Sequence, residues 1–353
     1  MSARARFLVA GSCAAFFVLG TRAQDAEGEP PCTNEEALSR AAAELLLAGG
    51  PPAPDALDRA VREAGSDAVG VRALYLRDED PTRERAWIQH LVGHGDAPAA
   101  CGRAVGTSGV LIVAANRGGA LDAIDARSTR VRGSLADGFS DAEIVVSDAN
   151  AALQRVPVDR AALAQGIEIA DDLARPARVQ LVAHGPSGPR PLAERVIPAR
   201  GAHGANASAA EAAEASDAAV DAVAPGAPIA SQLASFRAAE RRPRLRDNRL
   251  LAAVAAAHAA RVCVQDHVAH ELGRGDPEQR LRAAGIEARL VGETVARAVD
   301  DDAAFAAMRR SPSHRMTLLD ERFTDAGAGA VRDARGRSCL VVLFAAWPRY
   351  AGN

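Results

Sequence analysis

Lysine is absent from the 353 residues, so all 42 basic side chains are arginine. Coding-sequence composition accounts for this bias without any functional use of the guanidinium. Aromatic residues are scarce, 3% of the chain against 48% hydrophobic residues, so cores must be assembled largely from Leu, Val and Ala. A net charge of −3 leaves no electrostatic footprint for nucleic acid or for an anionic membrane. No CxxC pair occurs, which argues against a cysteine zinc site. Ser311 and Ser313 are present, but without a GxSxG elbow a Ser-His-Asp hydrolase lacks its nucleophile frame. Phosphate-cradling loops of the P-loop or Rossmann type are missing too.

The N-terminus has the makings of an export signal. Arg4 and Arg6 precede an apolar run from Phe7 to Gly20, and Thr21-Arg22-Ala23 offers a cleavage site before Gln24. That run is too short to persist as a membrane anchor, so an exported chain, extracellular or periplasmic and without a transmembrane anchor once mature, is expected. Removal of residues 1–23 takes Cys13 with it and leaves Cys32, Cys101, Cys263 and Cys339. An even count in an exported chain indicates disulfides, with three connectivities open. A linker between the first two cysteines and the last two favours Cys32–Cys101 and Cys263–Cys339. With a thiol expected to be oxidised there, neither Cys263 nor Cys339 is a nucleophile.

A chain of this length indicates two or three domains. Residues 24–97 read as a small helical unit, with Thr33-Asn34-Glu35-Glu36 as capping chemistry, Pro54-Asp55 opening a second helix and Pro81 a third. From 98 to 198 the period changes to short β-prone runs separated by turn signals, which predicts a β-sandwich. His90, His94 and His184 stand apart from any carboxylate frame and are read as structural or exposed. Residues 199–227 hold almost no large apolar side chains and read as a disordered Ala-rich linker. Residues 228–348 follow as an α+β module: Asp247 and Asn248 cap a long helix, Asp276-Pro277-Glu278 opens a short one, Asp300 begins another, and Asp333-Ala334-Arg335-Gly336 turns a hairpin.

Three frames in that module carry the chemistry: VAHELGRGDPEQRLRAAG around His270, VGETVA around Glu293, and SPSHRMTLLDERFTDAGAG around His314. Their order resembles the CAP superfamily of cysteine-rich secretory proteins, venom allergens and plant pathogenesis-related proteins, in its compact bacterial branch. The resemblance covers the C-terminal third, from Pro228 to Pro348. It implies an α-β-α sandwich and a cleft in which His270, Glu293 and His314 converge. Roles in that family include lipid or sterol binding, toxin-like interaction and proteolysis. The chain departs from the family pattern in four places. Thr294 stands for Asn, Met308 for Trp and Ser313 for Gly, and Ser311 takes the position of a second Glu found in longer members.

Two imidazoles and a carboxylate admit two chemistries. His270 and His314 can ligate Zn²⁺, making zinc a candidate cofactor. Alternatively Glu293 fixes the tautomer of one imidazole, which then acts as a base. His267, Asp266 and Glu271 lie close enough in sequence to supplement the set, whereas His258 is expected to be packed. A hydrogen-bond network that only stabilises the fold is the remaining account. The favoured function is recognition of an extracellular ligand, whether lipid, peptide or cell-wall component, through a cleft centred on His270 and His314. The alternatives are a metal-assisted hydrolase of peptide or cell-wall material and an adhesion or scaffold protein acting through the β-sandwich.

Overall fold

Helix α1 (Glu36–Leu47) places Leu38, Ala41, Ala42 and Leu45 on one face, and that stripe needs an apolar partner. The computed structural model, which describes residues 32–93, 97–150, 152–185, 188–199, 228–265 and 268–347, supplies a sheet. β1 (Thr33–Asn34), β2 (Arg72–Leu76), β3 (Ala99–Gly106) and β4 (Gly109–Asn116) form it in the order β1-β3-β4-β2. α1 and α2 (Pro54–Glu63) pack on Leu111, Val113 and Ala115 from one side. α3 (Pro81–Gly93) brings Ile88 and Trp87 against Val110 and Ile112 on the other. Gly102 permits the close approach of α1, because a Cβ there would overlap the backbone of Leu38 and Ser39. The helical unit expected over 24–97 therefore does not end at 97. Its helices cannot satisfy their apolar faces on each other, and the strands from 99 to 116, with β4 covered on both faces, complete it.

The next body begins at β5 (Gly119–Leu121) and continues through β6 (Arg130–Val131), β7 (Gly133–Leu135), β8 (Ser140–Ser147), β9 (Leu153–Val158), α4 (Arg160–Gln165), β10 (Ile167–Glu168), β11 (Ala177–Gly185) and β12 (Gly188–Ile197). Its main sheet is antiparallel in the order β12-β11-β8-β9. Ribbons β5-β7 and β10-β6 join it, with α4. Alternation along β11 sends Val179, Leu181 and Ala183 into the shared core with Leu121, Val131, Leu135 and Leu163. Arg178 and Gln180 take the opposite face. Asp67 ties this body to the first: its buried carboxylate accepts from Arg117 at 2.7 Å and from the Leu121 N–H at 2.6 Å.

The last module contains α5 (Ile229–Ala239), β13 (Arg246–Asp247), α6 (Arg249–Val264), α7 (Pro277–Ala283), β14 (Leu290–Ala298), α8 (Asp301–Arg310), α9 (Pro312–Leu319), β15 (Asp325–Arg332) and β16 (Ser338–Ala346). Local chemistry sets several of these boundaries. Asn248 caps α6 by accepting from Leu250 and Leu251, Asp276 and Gln279 form a reciprocal capping box on α7, and Asp300 caps α8. The sheet order is β13-β15-β16-β14, and all nine residues of β16 are buried. Its odd-numbered side chains, Cys339 to Ala345, pack with α6 and α7, while Leu340, Val342 and Phe344 pack with α5, α8 and α9. Each fully buried Leu or Val contributes about 1.5–3 kcal/mol, so this one strand holds two cores together.

Disulfides join Cys32 to Cys101 and Cys263 to Cys339, with Cα separations of 5.9 and 5.6 Å. Residues 1–23, the rest of the linker beyond Ala199, and His94, Asp266 and His267 lie outside the described residues. Among the described residues no helix is long and apolar enough to cross a membrane.

Gly327 and Gly329 explain the G-x-G of the third frame. A Cβ on either would overlap the backbone of α6, at Leu251 and Ala252 or at Ala255 and Ala256. Gly329→Ala is expected to cost about 1–3 kcal/mol or more through overpacking, read as a lowered urea midpoint; an unchanged midpoint would mean that α6 does not rest on β15 at this point.

Candidate functional site

Strand β14 lies at the edge of its sheet, and its alternation sends Glu293 and Val295 towards α6 and α7. Thr294 turns to the other face, where its hydroxyl meets Met308 Sδ at 3.4 Å. The Glu293 carboxylate is 1% exposed, and a charge so placed must be paired. Oε1 accepts from His270 Nδ1 at 2.8 Å and Oε2 accepts from Arg280. His258 Nε2 stands 3.9 Å from Oε1. Burial alone would raise the carboxyl pKa. The His270 hydrogen bond, followed by the electrostatic attraction of His270 and Arg280, outweighs it and holds Glu293 below the ordinary carboxylate range.

Arg280, which the motifs did not single out, does more than neutralise Glu293. Its second amino group donates to the carbonyls of His270 at 2.6 Å and Gly275 at 2.7 Å. Neighbouring guanidiniums hold the same loop: Arg261 donates to Leu272 O, and Arg297 to Gln265 O at 2.7 Å. Arginine is therefore put to structural use here, beyond what coding composition alone explains. His258 is packed, as expected. Its Nε2–H donates to Ala269 O at 3.0 Å, and burial lowers its pKa, keeping it neutral. Glu271 is exposed and stays out of the network.

With Nδ1 engaged by Glu293, His270 has its tautomer and ring plane set by its partner. His314 arrives from the other side on α9, and that helix is held at both ends. At its start, the Gln180 side-chain carbonyl accepts from the Ser313 N–H at 3.1 Å, and the Gln180 amide donates to Ser311 Oγ at 3.2 Å. At its end, the fully buried Arg237 donates to Leu318 O at 2.6 Å. Ser311 and Ser313 are two of the four departures from the CAP pattern, and both receive a side chain of the preceding β body. Their hydroxyls lie 3.3 Å apart. Gln180 could be found from the sequence only through the alternation of its strand, which marks its face but not its partner.

Loss of solvent, and then the charge of His270, push the His314 pKa down to about 4. It is neutral at pH 7, and among the described residues no hydrogen-bond partner meets its ring. His270, His314 and Ser311 line a cleft of about 1220 Å³ that Arg62, Arg178 and Gln180 line as well. A smaller hollow of about 650 Å³, between Pro51 and Arg83, contains no imidazole.

A catalytic zinc site takes three protein donors and an open position. Both Glu293 oxygens are already engaged, leaving one nitrogen of His270 and the ring of His314. No group of three or more His, Cys, Asp or Glu side chains among the described residues is arranged to hold a metal. The described residues do not by themselves complete a catalytic zinc site.

No family model and no curated protein matches the sequence. Among solved structures the chain is similar to an outer surface protein of Borrelia burgdorferi, at 22% identity over 34% of this chain and 90% of that one, with a TM-score of 0.32. It is similar to an extracellular protein containing an SCP domain from Bacillus anthracis, at 18% identity over 65% and 67% of the two chains, with a TM-score of 0.32. A cysteine-rich secretory protein from Staphylococcus aureus is 11% identical over 59% and 65%, with a TM-score of 0.28. The last two spans reach beyond the C-terminal third in which the motifs lie. With TM-scores this low, the functional argument rests on the site itself.

Because His314 is held neutral, the unfolded chain takes up a proton below about pH 6.5 that the folded chain refuses until about pH 4, and the lowered pKa of His258 acts in the same direction. Stability is then complete above pH 6.5 and is lost between pH 6.5 and 4, by an amount on the order of 1–3 kcal/mol. Glu293 acts lower on the scale, its contribution disappearing only as pH falls through its depressed pKa. Urea midpoints measured from pH 8 to 4 should show the decline, and His314→Gln should make it shallower; an identical decline in that variant would show that His314 is not held neutral.

Proposed function

We propose that residues 228–348 form a CAP module of an exported protein, and that the cleft recognises an extracellular or periplasmic ligand. Helices on both faces of the β13-β15-β16-β14 sheet support the α-β-α sandwich expected of that module. Two disulfides fit an oxidising compartment. The observation that carries the reading is His314: a neutral imidazole, unpartnered among the described residues, lining a large cleft beside an imidazole of fixed orientation. Such a pair presents hydrogen-bonding nitrogens at low cost, since neither ring must be stripped of a protein partner when a ligand arrives. Glu293 acts on the ligand only through His270, as its orienting group.

Recognition is favoured over hydrolysis by the state of the nearby hydroxyls. Ser311 and Ser313 are engaged with each other and with Gln180, so neither is aligned on a base. It is favoured over a free-standing scaffold because one face of the β body is occupied in bracing α9. The ligand is a lipid, a peptide or a cell-wall component.

The imidazole nitrogen resonances of the full chain can be followed while lipid micelles, a peptide pool and soluble peptidoglycan fragments are added in turn. One class should shift both His270 and His314, and His314→Gln should weaken its binding at least about tenfold, or 1.4 kcal/mol, without altering the urea midpoint at pH 7.5. If none of the three moves either resonance, the recognition reading fails.

A further inference from the structure

The cleft that His314 lines also carries an arginine with no hydrogen-bonded carboxylate of its own among the described residues. Arg62, near the end of α2, is partly buried and lines the cleft. Among the described residues it has neither a hydrogen bond nor a carboxylate within ion-pair distance. The acidic group best placed to help is Glu194, and both of its oxygens are committed: one accepts from Arg178 at 2.9 Å and the other from the Gln180 amide at 2.6 Å. Arg178 adds a second guanidinium to the same cleft. Arg310, the last residue of α8, comes from the C-terminal module four residues before His314 and also lines the cleft.

Arg62 responds to these surroundings. Burial first, and then Arg178, lower its pKa; Glu194 and Asp58 oppose them, and Arg310 lowers it further. A partly buried guanidinium that makes no ion pair of its own, within the field of two others, is a place where an anion is stabilised. The planar fork of arginine suits carboxylate and phosphate groups alike. Electrostatics thus distinguishes this cleft from the rest of a chain whose net charge is −3.

We infer that the cleft takes an anionic ligand, with a carboxylate or phosphate group seated by Arg62 and Arg310 and the adjoining part of the ligand directed towards His314. The inference rests on the reading of the cleft as a recognition site and adds the ligand's charge. Its volume of about 1220 Å³ exceeds the roughly 300–1,000 Å³ of most small-molecule pockets, so there is room for a ligand much larger than the anionic group alone.

Calorimetric titration of the full chain with hexaglutamate, tripolyphosphate and hexaglutamine tests this directly. At least one of the two anions should bind, whichever does so identifying the chemical source, and hexaglutamine should bind at least about tenfold more weakly. Arg62→Gln and Arg310→Gln should each lower the anion's affinity about 10–100-fold, as expected for loss of a charge-assisted hydrogen bond. Arg62→Lys should recover part of it, and Arg282→Gln, at an exposed site outside the cleft, should change nothing. Should Arg62→Gln fail to fold, Arg310→Gln and Arg62→Lys carry the test. Absence of binding by both anions overturns the inference, as does binding that neither cleft arginine affects. If hexaglutamine binds and loses affinity in His314→Gln but not in Arg62→Gln, the recognition site stands and its anionic character falls.

Discussion

A carboxylate 1% exposed has to be paired, and the pairing of Glu293 organises everything around it. Removing such a charge from water costs several kcal/mol unless excellent geometry returns it. Here the return comes from Arg280 and His270, with His258 behind them. The partners of Glu293 are also what shapes the site. Arg280 reaches past the carboxylate to the carbonyls of His270 and Gly275, so satisfying the buried charge and fixing the loop that presents His270 are a single event.

Guanidinium chemistry recurs because it fits this task. A loop packed inside a module leaves carbonyl oxygens in need of donors, and arginine offers five N–H groups in a rigid fork. Arg237, Arg261, Arg280 and Arg297 each donate to backbone carbonyls of connecting segments. A lysine ammonium, a point charge on a flexible stem, could not span two carbonyls and a carboxylate at once.

The C-terminal module is not a separate body carried on a tether. Gln180 is 2% exposed, and its amide divides between Glu194 of its own sheet and the two serines that open α9. The helix bearing His314 is therefore seated partly by another region of the chain. Asp67 performs the corresponding service further from the site, joining the first sheet to the second. One consequence is a cleft lined from both regions of the chain, in which the neutral His314 imidazole shares the lining with several arginines.

Much of this was legible from local signals. Helix starts at Asn248, Asp276 and Asp300 announce themselves through capping chemistry, which acts over three or four residues. His270, Glu293 and His314 stood out because each sits in a short frame with glycine, proline or serine beside it. The apolar run of β4 looks the same in sequence whether helices or a second sheet cover it, so its packing partners are not legible locally. Strand β14 was not anticipated around Glu293, since its neighbours on the two faces come from separate elements.

The amino-acid sequence by itself determined the cysteine count, the helix caps, the alternating strands and the three polar residues of the site, all of which depend on backbone geometry and near neighbours. Tertiary structure alone decided that Arg280 would neutralise Glu293, that His314 would be left without a partner among the described residues, and that Gln180 would meet Ser311 from 131 residues away. The reason is physical. Propensity and capping are exhausted within a few residues, whereas the cost of a buried charge and the shape of a cleft depend on groups brought together only when separate cores pack.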